Sequence, residues 1–145
     1  MRVLGIGVIL LALAGPGAAQ DAKKEMAQLE GAWTMVSGEI DGQAMPEEMR
    51  KTAQRVVKDG ETTVTIGGQL FMKAKFTVDP AKKPKTIDYT MTGGPTEGKT
   101  QLGIYELDGD TVKFCFSAPG KDRPTDFTTK EGSGRTLSFW RRAKK

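Results

Sequence analysis

Apolar and polar residues alternate with a period of two along most of the chain. The clearest run lies between residues 70 and 78, where apolar side chains at the even positions alternate with mainly polar ones at the odd positions. Successive side chains of a strand point to opposite faces of a sheet, so this pattern predicts strands with one buried and one solvated face, which is typical of antiparallel sheet. The predicted strands are Ala32–Ile40, Ala53–Lys58, Thr62–Ile66, Gln69–Val78, Lys85–Thr92, Lys99–Leu107, Thr111–Ser117 and Arg135–Arg142.

Turn sequences separate these strands and leave little room for helices. Asp-Gly pairs, as at 41–42 and 108–109, favour tight hairpins. One short helix is predicted at Asp21–Glu30 and another around Pro46–Thr52, and a weaker ninth strand is predicted at Asp126–Thr129. About eight strands joined by hairpins predict an all-β domain, either an up-and-down barrel or a sandwich.

Whether a residue of a strand points inward or outward follows from its odd or even position along that strand. In the last strand Leu137 and Phe139 are predicted to point inward, which also turns Arg141 inward. If this strand pairs antiparallel with the first, Arg141 lies across Trp33 and closes the base of a barrel by a cation–π contact, while Gly31 allows the close backbone approach. The other residues predicted to point inward are Met35, Val64, Ile66, Leu70, Met72, Phe76, Val78, Ile87, Tyr89, Met91, Leu102, Ile104, Val112, Phe114 and Phe116.

Gly31-x-Trp33 at the start of the first strand, with Arg141 at the end of the last, resembles the pattern of the calycin superfamily. With further segments, nearly the whole chain after its N-terminal leader resembles the lipocalin-like domain family that is abundant in planctomycete bacteria. The resemblance implies an antiparallel, up-and-down, eight-stranded lipocalin-like (calycin) β-barrel with a short N-terminal helix, and it implies no assigned activity. The segments are Leu29-x-Gly31-x-Trp33, residues 79–88 and 103–111, Cys115-Phe116 and Arg123-Pro124-x-x-Phe127.

The first 19 residues have the pattern of a signal peptide. Arg2 precedes an apolar run over residues 3–14, and Gly17 and Ala19 suit the −3 and −1 positions of a cleavage site. The apolar run is shorter than the ~20 residues that span a bilayer. We therefore expect cleavage rather than an uncleaved anchor, no transmembrane segment afterwards, one domain over residues 20–145, and export to the periplasm or the extracellular space.

Composition narrows the chemistry and the partners. The chain has no histidine and one cysteine, which excludes histidine-based catalysis, histidine-ligated zinc, an intrachain disulfide and a cysteine metal cluster. We expect no metal and no cofactor. The formal net charge of +4 is mild, with much of the excess in the tail at 141–145, and no aromatic residues are interleaved with a basic stripe. A nucleic-acid partner is therefore not expected.

Other candidate chemistry rests on single residues. Glycosidases need two carboxylates and no histidine, but no motif distinguishes candidates such as Glu39, Asp88 and Glu106, so no catalytic residue is assigned. Cys115 shares the face of Lys113, which favours exposure, whereas buried free cysteines are common.

Two functions suit such a domain. The first is non-catalytic binding of a small hydrophobic molecule in the barrel lumen, with a tyrosine hydroxyl orienting the ligand. The second is an envelope scaffold with a filled barrel, whose loops bind a protein or an anionic polymer; Lys82, Lys83 and Lys85 are its candidate contacts. The residues predicted near the mouth or wall of the lumen are Met72, Phe76, Tyr89, Met91 and Ile104.

Overall fold

The computed structural model describes residues 16–144. Residues 1–15, which hold most of the predicted signal peptide, lie outside the described residues. Within residues 16–144, every helix is too short or too polar to cross a membrane. The helices and strands are α1 (Pro16–Leu29), β1 (Gly31–Ile40), β2 (Gln43–Ala44), α2 (Glu47–Thr52), β3 (Ala53–Lys58), β4 (Glu61–Ile66), β5 (Gln69–Asp79), β6 (Lys85–Gly93), β7 (Thr100–Asp108), β8 (Thr111–Phe116) and β9 (Thr136–Arg142).

Eight strands form one closed antiparallel barrel. β1 pairs with β3, each strand from β3 to β8 pairs with the next, and β9 returns to pair with β1. The short β2 only forms a hairpin with the end of β1. The predicted up-and-down, eight-stranded, lipocalin-like barrel with a short N-terminal helix is therefore confirmed. The ninth strand predicted at Asp126–Thr129 is wrong, since these residues form bends and irregular backbone.

The barrel interior holds one hydrophobic core. The predicted faces of β6 and β8 are correct, because the inward residues of both strands are buried in that core. On β6 these residues are Ile87, Tyr89 and Met91, and on β8 they are Val112, Phe114 and Phe116.

The predicted face of β7 is wrong. Tyr105 lies in the core, whereas Leu102 and Ile104 occupy the opposite parity and face the outside of the barrel. Both faces of β7 carry large apolar residues, so alternation alone did not distinguish them. Gly103 also points inward, where the sequence shows no side chain to reveal the buried face. A Cβ there would lie 2.5 Å from the ring of Phe116, which fills the space of the missing side chain.

The predicted face of β9 is wrong for a similar reason. Trp140 is 1% exposed inside the barrel, while Leu137 and Phe139 on the other parity are half-buried and Arg141 is exposed. Three of the four residues at 137–140 are apolar and only Ser138 is polar, which hides the period of two. The register confirms the inward face, because β9 places Trp140 opposite Met35 of β1.

A bulge changes the phase of β5. Val64 of β4 pairs with Met72, but Thr65 pairs with Leu70, so Phe71 is an extra residue between the two pairs. Leu70, predicted to be inward, is instead 53% exposed. Beyond the bulge the predicted alternation holds, with Phe76 buried.

The segment from 117 to 135 covers the outer face of β7 and β8. Arg123 Nη1 donates to the carbonyl of Gly103 at 2.8 Å, and Cys115 Sγ lies 3.7 Å from the carbonyl oxygen of Thr128. Beneath this segment Ile104 and Cys115 are almost completely buried. The barrel wall therefore has a second, smaller apolar layer on its outside.

The base of the barrel, where β1 begins and β9 ends, is closed by Trp33. The Arg142 guanidinium carbon lies 4.2 Å from the centroid of the Trp33 ring, so Arg142 and not the predicted Arg141 makes the cation–π contact. The two residues are directly opposed in the β1–β9 register. Gly31 has a φ of 126°, and a Cβ there would lie 3.1 Å from Arg142 Nη1.

Arg142 and Trp33 also bind the end of α1. Arg142 donates to the carbonyls of Gln28 and Glu30 at 3.0 and 2.9 Å, and Trp33 Nε1 donates to the carbonyl of Leu29 at 3.0 Å. The last carbonyls of a helix lack partners within the helix, and a cation there also interacts favourably with the helix dipole. These contacts fix α1 across the base.

A buried polar cluster holds the middle of α1. Glu25 is 8% exposed, and its Oε1 accepts hydrogen bonds from Lys85 Nζ at 2.6 Å and from the Tyr105 hydroxyl at 3.0 Å. Burial, reinforced by the negative charge of Glu25, raises the pKa of Tyr105 above its usual range. The phenol therefore stays protonated and donates to the carboxylate.

The base should be a major source of stability. We expect Trp33→Ala to lower the free energy of unfolding by ~3–5 kcal/mol, because it removes a fully buried aromatic side chain. Chemical denaturation followed by far-UV circular dichroism measures the change. A nearly neutral effect would contradict the proposed closure of the base.

The two neighbouring arginines provide a matched pair. Arg142→Ala removes the cation–π contact and the bonds to α1, and we expect a loss of ~1–2 kcal/mol in the free energy of unfolding. Arg141→Ala, at an exposed position with the same charge, should change it by less than ~0.5 kcal/mol. Equal losses in parallel denaturation curves would show that the register of β9 is wrong.

Candidate ligand-binding site

A cavity opens at the end of the barrel opposite α1. Its volume is about 210 Å³, larger than the ~150 Å³ of an engineered apolar cavity that binds benzene. Residues of the first strand, β1, and of the last strand, β9, both line the cavity, because these strands pair where the barrel closes. The cavity is therefore large enough for a small organic molecule.

The walls of the cavity are mainly apolar. Four methionines and four aromatic residues contribute to the lining, and they come from β1 and the residue after β2, from β5 and β6, and from β8 and β9. Methionine side chains are flexible and polarisable, so they adapt to ligands of different shape. These lining residues are Met35, Met45, Met72 and Met91, with Phe71, Tyr89, Phe116 and Trp140.

The mouth of the cavity has an apolar rim. Ile40 and Phe71 line the cavity and are 41% and 40% exposed, and Leu70 beside Phe71 is 53% exposed. The bulge in β5 produces this arrangement, because it turns Phe71 toward the mouth. Clustered exposed apolar side chains are a common feature of sites that admit a hydrophobic ligand.

The inner end of the cavity is polar and is formed by Arg55 of β3. Arg55 is 5% exposed, and its Nη1 donates to the Thr62 hydroxyl at 2.8 Å and to the Tyr89 hydroxyl at 2.7 Å. The guanidinium carbon lies 4.6 Å from the ring centroid of Phe114 and 4.5 Å from that of Trp140. Aromatic rings and neutral hydroxyls thus hold the side chain in place.

The five residues predicted near the lumen mouth or wall lie in three different places. Met72, Tyr89 and Met91 line the cavity. Phe76 lies deeper, beside a void of about 10 Å³ below Arg55. Ile104 is on the outside of the barrel beneath the 117–135 segment, so its placement in the lumen is corrected.

Arg55 was missed by the sequence analysis. The strand over residues 53–58 was predicted, but its faces were not assigned. Ala53 and Val57 share the parity of Arg55 and are buried, whereas Gln54 and Lys58 on the other parity are exposed. An arginine between two small apolar residues of one face was the available signal.

The lysine loop is less cationic than the sequence indicated. Lys82 and Lys83 are exposed, but Lys85 forms the 2.6 Å ion pair with Glu25. An outer groove of about 330 Å³ adjoins this loop. Only two of the three lysines are therefore free to meet an external anion.

The three candidate carboxylates are separate and each has a partner. Asp88 pairs with Arg123 at 2.8 Å, Glu106 pairs with Lys113 at 3.2 Å, and Glu39 accepts from the Thr129 hydroxyl at 2.8 Å. Residues 16–144 contain no cluster of three or more histidine, cysteine, aspartate or glutamate residues placed to hold a metal.

Comparison with known proteins gives no match: no family model, no curated protein and no solved structure matches the chain significantly. The resemblance to calycins and to the planctomycete lipocalin-like family therefore remains an expectation from the motifs.

The buried position of Cys115 predicts an unreactive thiol, contrary to the exposure that its parity favoured. The residue is 0% exposed, and burial raises the pKa of its thiol, so both access and ionisation oppose reaction. We expect Ellman's reagent to modify Cys115 at least ~100-fold more slowly in the native protein than in denaturant. Equal rates would show that the 117–135 segment does not cover it.

Proposed function

We propose that this protein is an exported, non-catalytic, lipocalin-like domain that binds a small hydrophobic molecule in its barrel lumen. The observation that carries the proposal is the cavity of about 210 Å³ with mainly apolar walls at the open end of the barrel. Small-molecule sites have this character: concave, largely apolar, and with a few polar groups that orient the ligand.

The asymmetry of the two ends supports binding at the mouth. At the base, Trp33 is 1% exposed and Arg142 and α1 lie across it. At the mouth, exposed Ile40 and Phe71 lead into the cavity. A ligand that enters here passes along apolar side chains and meets the Tyr89 hydroxyl at the inner end.

Export is the second part of the proposal, and its support is the sequence of the N-terminal leader. A periplasmic or extracellular location suits a carrier of poorly soluble molecules. The competing function, an envelope scaffold that binds a protein or anionic polymer through the lysine loop, has less support, because Lys85 is already paired with Glu25.

Lumen binding can be measured with a neutral fluorescent probe. We expect 1-aminonaphthalene, which is small enough for a cavity of about 210 Å³, to show a saturable increase in fluorescence with the protein, and native mass spectrometry of material purified from its source to show a bound small molecule. Ile66→Trp places a larger side chain in the cavity lining and should weaken probe binding at least ~10-fold, because it fills ligand space.

The matched control is Val56→Trp, which adds the same side chain at an outward position that is 50% exposed. It should leave probe binding unchanged. No saturable signal with the unmodified protein, together with no bound mass, would refute lumen binding; equal weakening by both substitutions would refute this location.

A further inference from the structure

We propose that the ligand of the lumen carries a carboxylate, and that Arg55 binds this group at the inner end of the cavity. This inference rests on the proposed lumen binding and specifies the chemical class of the ligand: a small monocarboxylic acid with an apolar tail or a single ring. Its basis is a buried positive charge that has no negative partner within residues 16–144.

The described part of the chain gives the cavity one charged residue and no compensating anion. Among the described residues that line it, Arg55 is the only charged one, and none is aspartate or glutamate. Arg55 also takes part in none of the ion pairs within residues 16–144. Arginine keeps its charge in proteins, and burying a charge without an ionic partner is costly.

The contacts that hold Arg55 compensate this charge only in part. Phe114 and Trp140 provide cation–π contacts, and Thr62 and Tyr89 provide neutral acceptors for Nη1. Nε of Arg55 is buried and has no hydrogen-bond partner among the described residues. Buried polar atoms are usually hydrogen-bonded, so the chain itself leaves part of the donor capacity of the guanidinium unused.

The neighbouring hydroxyls are available as further donors. The Tyr89 oxygen accepts from Arg55, and the Ser138 oxygen accepts from Trp140 Nε1 at 2.8 Å. Each hydroxyl therefore keeps its own proton to donate, and both residues line the cavity. An ionised carboxylate accepts hydrogen bonds and donates none, which makes it complementary to this set of donors.

The walls define the rest of the ligand. With the carboxylate at Arg55, the apolar part extends past Met72 and Met91 toward the rim at Ile40 and Phe71. The volume of about 210 Å³ suits a short aliphatic chain or one aromatic ring, and it is below the ~300–1,000 Å³ of sites for drug-sized ligands.

The test compares two probes of equal chain length, octanoate and 1-octanol, by isothermal titration calorimetry at pH 7.5. We expect the unmodified protein to bind octanoate ~10- to 100-fold more tightly than octanol, because only the carboxylate forms charge-assisted hydrogen bonds. Arg55→Met should abolish this preference and leave octanol binding within about threefold.

Arg141→Met is the control for charge, since it removes one arginine from an exposed outward position. It should keep the full preference for octanoate. Tyr89→Phe removes one hydroxyl donor and should reduce the preference ~3- to 10-fold. Circular dichroism verifies the fold of each variant, and the comparison of probes on the unmodified protein does not depend on any variant.

The outcomes separate this inference from the proposed function. If 1-aminonaphthalene and octanol bind but octanoate binds no more tightly, the carboxylate assignment is overturned, Arg55 is only a part of the core, and lumen binding stands. If neither neutral probe nor octanoate binds, both are overturned. If octanoate is preferred equally by the unmodified protein and the Arg55→Met variant, the carboxylate lies elsewhere and the assignment to Arg55 fails.

Discussion

The stacking of Arg142 on Trp33 joins the two ends of the barrel sheet and the helix before it. The guanidinium comes from the last strand, the indole from the first, and the carbonyls from Gln28 in the last turn of α1 and from Glu30, which follows the helix. One contact therefore supports the closure of the sheet, the burial of the base and the position of α1. At the opposite end residues 16–144 form no such plug, and there the cavity reaches the surface.

Two arginines that both pair with Trp33 in the sheet register have different surroundings. Arg142 at the base is one-third exposed, lies close to Asp110, and binds the carbonyls at the end of α1. Arg55 lies deep in the barrel between aromatic rings, and its partners among the described residues are neutral. The charge of Arg142 is thus compensated by groups of the chain itself, and its role is structural. Arg55 leaves binding capacity unused at the inner end of an open cavity, which is the property expected of a ligand site.

Alternation and turn residues are local signals, and they predicted the strands. The choice of a barrel over a sandwich, and the importance of Trp33, came from the Gly31-x-Trp33 and Arg141 pattern and the resemblance it carries, although the partner of Trp33 is Arg142. Sequence reasoning assigned the wrong faces to β7 and β9, where both faces carry apolar residues. On β7 the outward Ile104 is buried because the 117–135 segment packs on the outside. The bulge at Phe71 was equally hidden, since pairing between strands fixes it. Met72, Tyr89 and Met91 were found from parity, but the partners of Arg55 come from different strands and become visible only in three dimensions.

The pairing of β9 with β1 also constrains how the barrel assembles. Thr34 and Arg141, which meet across this seam, are 107 positions apart, so closing the ring brings together the most distant parts of the sheet. Such non-local contacts form slowly, because loop-closure entropy must be overcome before they stabilise the chain. Until β9 arrives, one edge of β1 and one edge of β8 lack their strand neighbours and are open to pairing with another chain. Completion of the last strand is thus the step that protects the nascent sheet from aggregation.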